Sequence, residues 1–364
     1  MVHGVVSGCL SYVGIYVSLS IRSPGDTTLV VQFVVLHYLT YLHHLFYLAL
    51  FPNQQQLTAN YLAPVYLISP THIHNIMSSQ SASVLLLGGT GKVGSRIAPL
   101  LHAAGVHFLV ASRSGTAPNG YTGVKFDWED ESTWEPIFAT LISTVYLVAP
   151  RGDAQDTIKK FVDLALSKGA QRFVLLSASV VDEGGPIFGK VHTYLRELGE
   201  AGKIGWAVLR PTWFQENFLQ EPHLSSIKKE NKIYSSTGSG KIPWISANDI
   251  AAVAFHALTA AQAPNTDYMV LGPELLTYAD LAETFTSVLG RTITHVDITE
   301  PELVERWTRV GLPPQYGAAL ASMDTAVRHG SEDRTSDDVR RTTGKEPRRF
   351  GDFVEENKSA WARS

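Results

Sequence analysis

The chain has 364 residues, with 30 Lys and Arg against 34 Asp and Glu, a formal net charge of −4, and a single cysteine. With no basic excess and only one short basic run, "RRTTGKEPRRF" at 340 to 350, nucleic acid is not an expected partner. The lone Cys9 leaves the rest of the chain without a disulfide framework, a thiolate metal site or a cysteine nucleophile.

In chain order, the first 80 residues carry only Arg22 and Asp26 as formal charges, and residues 27 to 91 carry none. The run "TLVVQFVVLHYLTYLHHLFYLALF" at 28 to 51 is long enough to span a bilayer, for which about 20 apolar residues suffice. His37, His43 and His44 interrupt it, and no basic segment precedes the apolar stretch from Val5, which argues against a signal peptide. Residues 1 to 76 therefore read as an extension outside the working fold, with a single membrane anchor as the alternative. Met77 opens "MSSQSASVLLLGGTGKVG", an ordinary start just before a first strand. A reducing cytosol fits a body without cysteine, so a cytoplasmic protein is expected, and a membrane-attached one only if 28 to 51 is a real span. The remainder suffices for one large α/β domain, with a nucleotide-binding part at 77 to 215 and a substrate lobe at 216 to 364.

"SVLLLGGTGKVGSRIAPLLHAAG" (83 to 105) starts as an apolar run, turns through glycines, and continues with apolar residues at helical spacing at Val93, Ile97 and Leu101. Both G-x-G-x-x-G (Gly89, Gly91, Gly94) and G-x-x-G-x-x-G (Gly88, Gly91, Gly94) are met. Glycine serves there for a tight turn, close approach of a diphosphate and close helix packing, while the helix N-terminus offers unpaired N–H groups. Gly89, Thr90, Gly91, Lys92, Val93 and Gly94 are thus candidate cofactor residues. Pro99 inside the predicted helix should cost it a hydrogen bond.

The second predicted strand, "HFLVAS" at 107 to 112, ends in Ser112, Arg113 and Ser114, where an NAD enzyme would place an acid on the ribose 2′-hydroxyl. A guanidinium among hydroxyls suits a 2′-phosphate, so NADPH is the expected cofactor. The third strand, "GVKFDWED", puts Asp127 and Trp128 near an adenine. "STVYLVAP" (143 to 150) and "RFVLLSAS" (172 to 179) follow as buried strands, and a further one at 205 to 209 stops at Pro211. This alternation predicts an α/β chain with a Rossmann-type, doubly wound parallel sheet and a smaller C-terminal α/β lobe. At the carboxyl ends of such strands, Ala149, Pro150, Ser177 and Pro211 are further cofactor candidates.

Short-chain reductases place a Tyr four residues before a Lys, so that the phenol protonates a nascent alkoxide. In "GGPIFGKVHTY" the lysine is Lys190, but Pro186 occupies the place of the phenol and Tyr194 lies beyond the lysine. Either the chain is no reductase, or its substrate needs no acid. Lys190 remains a candidate to hold the nicotinamide ribose hydroxyls.

Over 83 to 364 the sequence resembles the NmrA-like, atypical short-chain dehydrogenases, and within them the fungal clavine dehydrogenases of ergot alkaloid formation. "GGTGKVGSRIAPLL", "VASRSG", "FDWEDESTW", "VLRPTWFQENF" and "TGKEPRRFGDF" are among the segments that carry the resemblance. It implies NADPH-dependent reduction of the cyclic iminium formed when chanoclavine-I aldehyde closes on its own amine, giving festuclavine or agroclavine. An upstream aldehyde reductase or isomerase would supply that substrate. Hydride added to C=N⁺ leaves a neutral amine, so the missing phenol fits. It fits equally a redox sensor that holds NADP(H) without turnover, while a carbonyl or enone reductase would need another proton source.

On the substrate side, Trp213 and Phe214 offer faces for an indole or a cation and Glu216 a counter-charge, with Phe188 and Trp244 as further candidates. Ser246 with Asp249, and Thr277 with Asp280, predict helix starts. No His or Cys pair shows ligand spacing after Met77, so no metal is expected. "SEDRTSDDVRRTTGKEP" reads as a surface helix with its loops.

Overall fold

The computed structural model describes residues 83 to 363 apart from Arg151, Asp153 and Ile187, together with two short backbone pieces, Ser18–Leu19 and Val31–Gln32, which pair antiparallel. The expectations for residues 1 to 76, for the apolar run at 28 to 51 and for a start at Met77 lie outside the described residues. Among those described, no helix is long and apolar enough to cross a membrane.

Seven parallel strands form the main sheet: β1 (Ser83–Leu86), β2 (Phe108–Ser112), β3 (Gly123–Lys125), β4 (Ile142–Val148), β5 (Arg172–Leu176), β6 (Gly205–Pro211) and, after an excursion, a strand at Thr266–Val270. Their spatial order is Thr266–Val270, β6, β5, β4, β1, β2, β3, so the winding reverses between β1 and β4. All the pairings are parallel. The strands read as apolar runs because both sheet faces are covered. Along β1 the period of two sends Leu85 to one core and Val84 and Leu86 to the other. Helices α1 (Gly94–Ala103) and α4 (Ala247–Thr259) cover the second face through Ile97, Ile250 and Ala254. Helices α2 (Gln155–Ser167) and α3 (Phe188–Glu200) cover the first through Phe161, Val191 and Leu195. The doubly wound sheet is as the sequence predicts.

Three local expectations shift. The third strand is shorter than its apolar pattern suggests, because after Lys125 the chain turns back on itself at an Asp127–Asp130 bridge. β6 runs through Pro211 instead of stopping before it, since the proline takes the last strand position, where it is opposite Val270. Ser246 caps α4 through Asn248 N–H, whereas Asp249 turns away to accept the Arg348 N–H at 2.8 Å. Pro99 stays within α1 on its exposed side, and nothing in the structure explains it.

The second lobe holds a parallel pair, β7 (Lys232–Ser235) and β9 (Thr294–Asp297), which brackets Thr266–Val270, hereafter β8, in sequence. It adds α5 (Tyr278–Leu289), α6 (Glu300–Arg309), α7 (Pro314–Arg328), α8 (Asp338–Thr343) and α9 (Phe350–Asn357). Thr277 and Asp280 form the predicted reciprocal cap on α5, and Gly290 closes it in the left-handed region at φ +64°. The lobe's core gathers Phe218, Trp244, Tyr278, Phe285, Phe350 and Trp361. α4 and β8 return the chain to the main sheet, and the Arg172 guanidinium on β5 ties down the end of α4 by donating to the Leu258 and Ala260 carbonyls at 3.1 and 2.7 Å.

Candidate active site

The loop between β1 and α1 sits at the winding reversal, the place where doubly wound sheets bind ligands. Gly88 takes φ +65°, a conformation a side chain would strain. A Cβ on Gly94 would stand 2.4 Å from the Gly88 carbonyl oxygen, so α1 packs onto the loop only because that position is bare. A Cβ on Gly89 would meet Val110 at 2.8 Å, whereas one on Gly91 would meet only the Gly88 carbonyl, at 3.1 Å. Gly91 therefore faces outward, next to exposed Thr90. The Gly91 N–H closes the turn onto Gly88 at 2.9 Å, while the N–H groups of Thr90, Lys92 and Val93 bond to no described residue. Free donors at a helix N-terminus beside an open glycine fit a diphosphate.

At the end of β2, Ser112 donates to the Thr116 carbonyl at 2.7 Å and Ser114 lies 2.7 Å from the Thr116 hydroxyl, which fixes the turn. Arg113 between them is exposed and has no partner among the described residues. Asp127 uses its carboxylate on the Glu129 N–H at 3.1 Å, a turn-forming bond. Trp128 packs edge-on against Phe126 and Phe161 and donates to the Val148 carbonyl at 3.1 Å, tying the third strand's exit to the end of β4. Ala149 and Pro150 follow directly and are half-buried. Ser177 is buried, its N–H on the Leu209 carbonyl at 2.7 Å, and Pro211 accepts from the Ser179 N–H at 2.9 Å.

Lys190 lies in the first turn of α3, exposed and without a partner among the described residues, and Phe188 begins that helix half-buried. Pro186 is exposed in the turn before it. Tyr194 is no substitute acid, because its hydroxyl donates to Asp163 on α2 and burial, then that carboxylate, pushes its pKa up to about 12.

Directly after β6, Trp213 lies 6.0 Å from Trp244 between ring centres, but Trp244 belongs to the second lobe's buried core. The Trp213 indole N–H is buried without a partner among the described residues. Phe214 presents its ring to Lys92, whose Nζ is 5.9 Å from the ring centre. The Glu216 carboxylate is buried and turned to α4, accepting from Ser246 Oγ at 3.1 Å and Ala247 N at 2.8 Å, with Arg96 at 3.8 Å.

Lys92 is a cofactor candidate, but its side-chain contact, like His223 and Glu332, escapes a reading of the sequence. Lys92 reaches from the glycine loop to Asn217 Oδ1 at 2.7 Å. Burial lowers its pKa, Glu216 opposes that shift and Arg96 adds to it. His223 is buried against Phe218 and Trp307, its imidazole makes no hydrogen bond to a described residue, and burial, then Arg306 and Lys92, pushes its pKa down to about 4. At the exits of β5 and β6, the buried Glu332 accepts from Ser179 Oγ at 2.6 Å and Thr212 Oγ1 at 3.1 Å. The polar cluster "QEN" after an aromatic pair was the available signal for Asn217. Nothing local pointed to Lys92 as its partner, 125 residues away.

The NmrA-like family model matches residues 80–350. The chain is 48% identical over 294 residues to a festuclavine dehydrogenase of Aspergillus fumigatus, covering 77% of this chain and 99% of that protein. It is 43% identical over 287 residues to an agroclavine dehydrogenase of Claviceps fusiformis, covering 77% and 98%. Among solved structures, the triphenylmethane reductase of Citrobacter sp., complexed with NADP(H), superposes with a TM-score of 0.65 at 20% identity over 76% of this chain and 99% of that one.

Proposed function

Because the chain belongs to the NmrA-like family, we propose that this oxidoreductase uses NADPH to reduce the cyclic iminium of chanoclavine-I aldehyde to a clavine, festuclavine or agroclavine. The observation that carries the reading is Pro186 in the place of the phenol, with Tyr194 turned to α2. A ketone reduced at neutral pH leaves an alkoxide that needs an acid. An iminium becomes a neutral amine on gaining hydride and needs none, and relatives that share this sequence over nearly their whole length bear clavine-forming names.

The bound cofactor would supply hydride. The loop N–H groups of Thr90, Lys92 and Val93 would hold its diphosphate, Arg113 its 2′-phosphate and Lys190 its nicotinamide ribose. Trp213 and Phe214 would flank the substrate's indole. Glu216 is buried and committed to α4, so the aromatic faces, not a carboxylate, would meet the cation.

The test mixes the protein with NADPH and the iminium from chanoclavine-I aldehyde, following nicotinamide absorbance and product mass together. NADPH consumption in step with a clavine supports the reading. Binding of NADPH with neither signal changing would replace it with a sensor, and turnover with enones or ketones alone would replace it with a carbonyl reductase.

A further inference from the structure

We propose that the chain also catalyses the ring closure that precedes hydride transfer, with Lys92 as the proton donor that lets water leave. The inference rests on the iminium reading above. An iminium of this kind arises when a secondary amine adds to its own aldehyde, forming the C–N bond of a neutral carbinolamine. The C–O bond then breaks, the nitrogen lone pair forms C=N⁺, and the hydroxyl departs as water once it has taken a proton. No electrons are exchanged, so this step needs an acid and no cofactor, the reverse of the requirement for the hydride step.

Lys92 is the ammonium group placed for it. It projects from the glycine loop at the carboxyl edge of the sheet and is pinned by Asn217 at 2.7 Å, alongside Phe214. Lys190, the other lysine of the site, is exposed and unpinned. The Tyr194 hydroxyl is committed to Asp163 on α2. Burial eases proton loss from Lys92 relative to a solvated lysine. Charge also favours the sequence of events. An iminium that arrived as an ion would meet the Lys92 and Arg96 cations, of which the buried Glu216, 3.8 Å from Arg96, offsets one, so like-charge repulsion would still oppose its entry. A neutral carbinolamine meets no such repulsion. As Lys92 gives up its proton the substrate becomes the cation, so the site's total charge does not rise. Solvent then recharges the amine.

The experiment uses the full chain without NADPH, supplies chanoclavine-I aldehyde through an upstream isomerase, and follows the absorbance of the conjugated iminium against the same mixture lacking the chain. Wild type is expected to accelerate its appearance. Lys92→Gln and Lys92→Arg are both expected to lose about 100-fold of that acceleration, the low end of general acid catalysis. The arginine variant keeps the charge but has no proton to give at neutral pH. Asn217→Ala, which leaves the lysine but releases it, is expected to lose part of the effect. Acceleration that survives in both Lys92 variants, or none in wild type, overturns the proposal. A preformed cyclic N-methyl iminium, which has no water to lose, separates this from the parent reading. If wild type reduces it with NADPH, a failure above removes only the role of Lys92. If it does not, the iminium reading itself fails and the proposal with it.

Discussion

Glu216 accepts the backbone N–H of Ala247 at 2.8 Å, and so a carboxylate from the segment after β6 holds the first turn of α4. It also takes the hydroxyl of the capping Ser246 at 3.1 Å, deep enough that only 4% of the residue is exposed. An anion there is favoured by the helix dipole and by N–H groups with no other partner. Glu216→Ala would leave two buried donors unpaired and should cost about 3 kcal/mol, while Glu216→Gln, which keeps one acceptor, should cost about 1 kcal/mol. Urea midpoints read both. A fall in substrate affinity with unchanged stability would instead make Glu216 a counter-charge to the substrate.

Arg113 stands exposed and unpartnered among the described residues, between two serines that are tied to Thr116. If it meets a 2′-phosphate, its loss removes a charge-assisted contact worth about 1.5–3 kcal/mol, or about 10–100-fold in affinity. Arg113→Ala should therefore weaken NADPH by that factor and NADH by less than about 2-fold. Fluorescence titration with each nucleotide makes the comparison, and equal losses would detach Arg113 from the phosphate.

The glycines of the loop should separate into two kinds. Gly94→Ala drives a methyl into the Gly88 carbonyl and Gly89 Cα, so it should unfold the loop and lower the melting temperature. Gly91→Val meets little within the chain but fills the outward face, so it should keep the fold while NADPH affinity drops about 100-fold or more. Thermal melts beside nucleotide titration test the division. Full affinity in Gly91→Val would place the diphosphate elsewhere.

What the sequence disclosed followed burial. β1, β4 and β5 lie between two helical layers and must be apolar on both faces, so Leu85, Val145 and Phe173 announce them. The glycine loop was legible because its backbone demands are met by one residue type. The third strand ran short because "FDWED" carries strand-like Phe and Trp that serve an aromatic cluster beside a turn. Glu216 was visible as a charge near aromatics, but a counter-ion and a helix N-terminal partner are the same residue type. The Lys92–Asn217 bond joins residues whose neighbourhood only the fold creates. Glu332 sits in a run of Asp, Arg and Ser that looks solvated throughout, yet it is 1% exposed, because two hydroxyls from the exits of β5 and β6 receive it.

Another buried carboxylate, Asp324 on α7, makes a prediction about pH. It is 4% exposed and accepts the Ser236 N–H at 3.0 Å, and burial raises its pKa to about 7, with that hydrogen bond and Arg328 opposing. The folded state thus holds a proton that the unfolded chain releases near the ordinary aspartate value of about 4. Between those two pH values the native state binds more protons than the unfolded one, so stability falls as pH rises. The contribution is fully present below about pH 4 and lost as pH climbs through about 7, where the buried group ionises. Asp324→Asn keeps an acceptor for Ser236 and never ionises. Urea midpoints taken from pH 5 to 8 should therefore decline in wild type and decline less in the variant. Parallel curves would mean that Asp324 is already ionised in the folded state at pH 5, with Arg328 and the Ser236 N–H outweighing its burial.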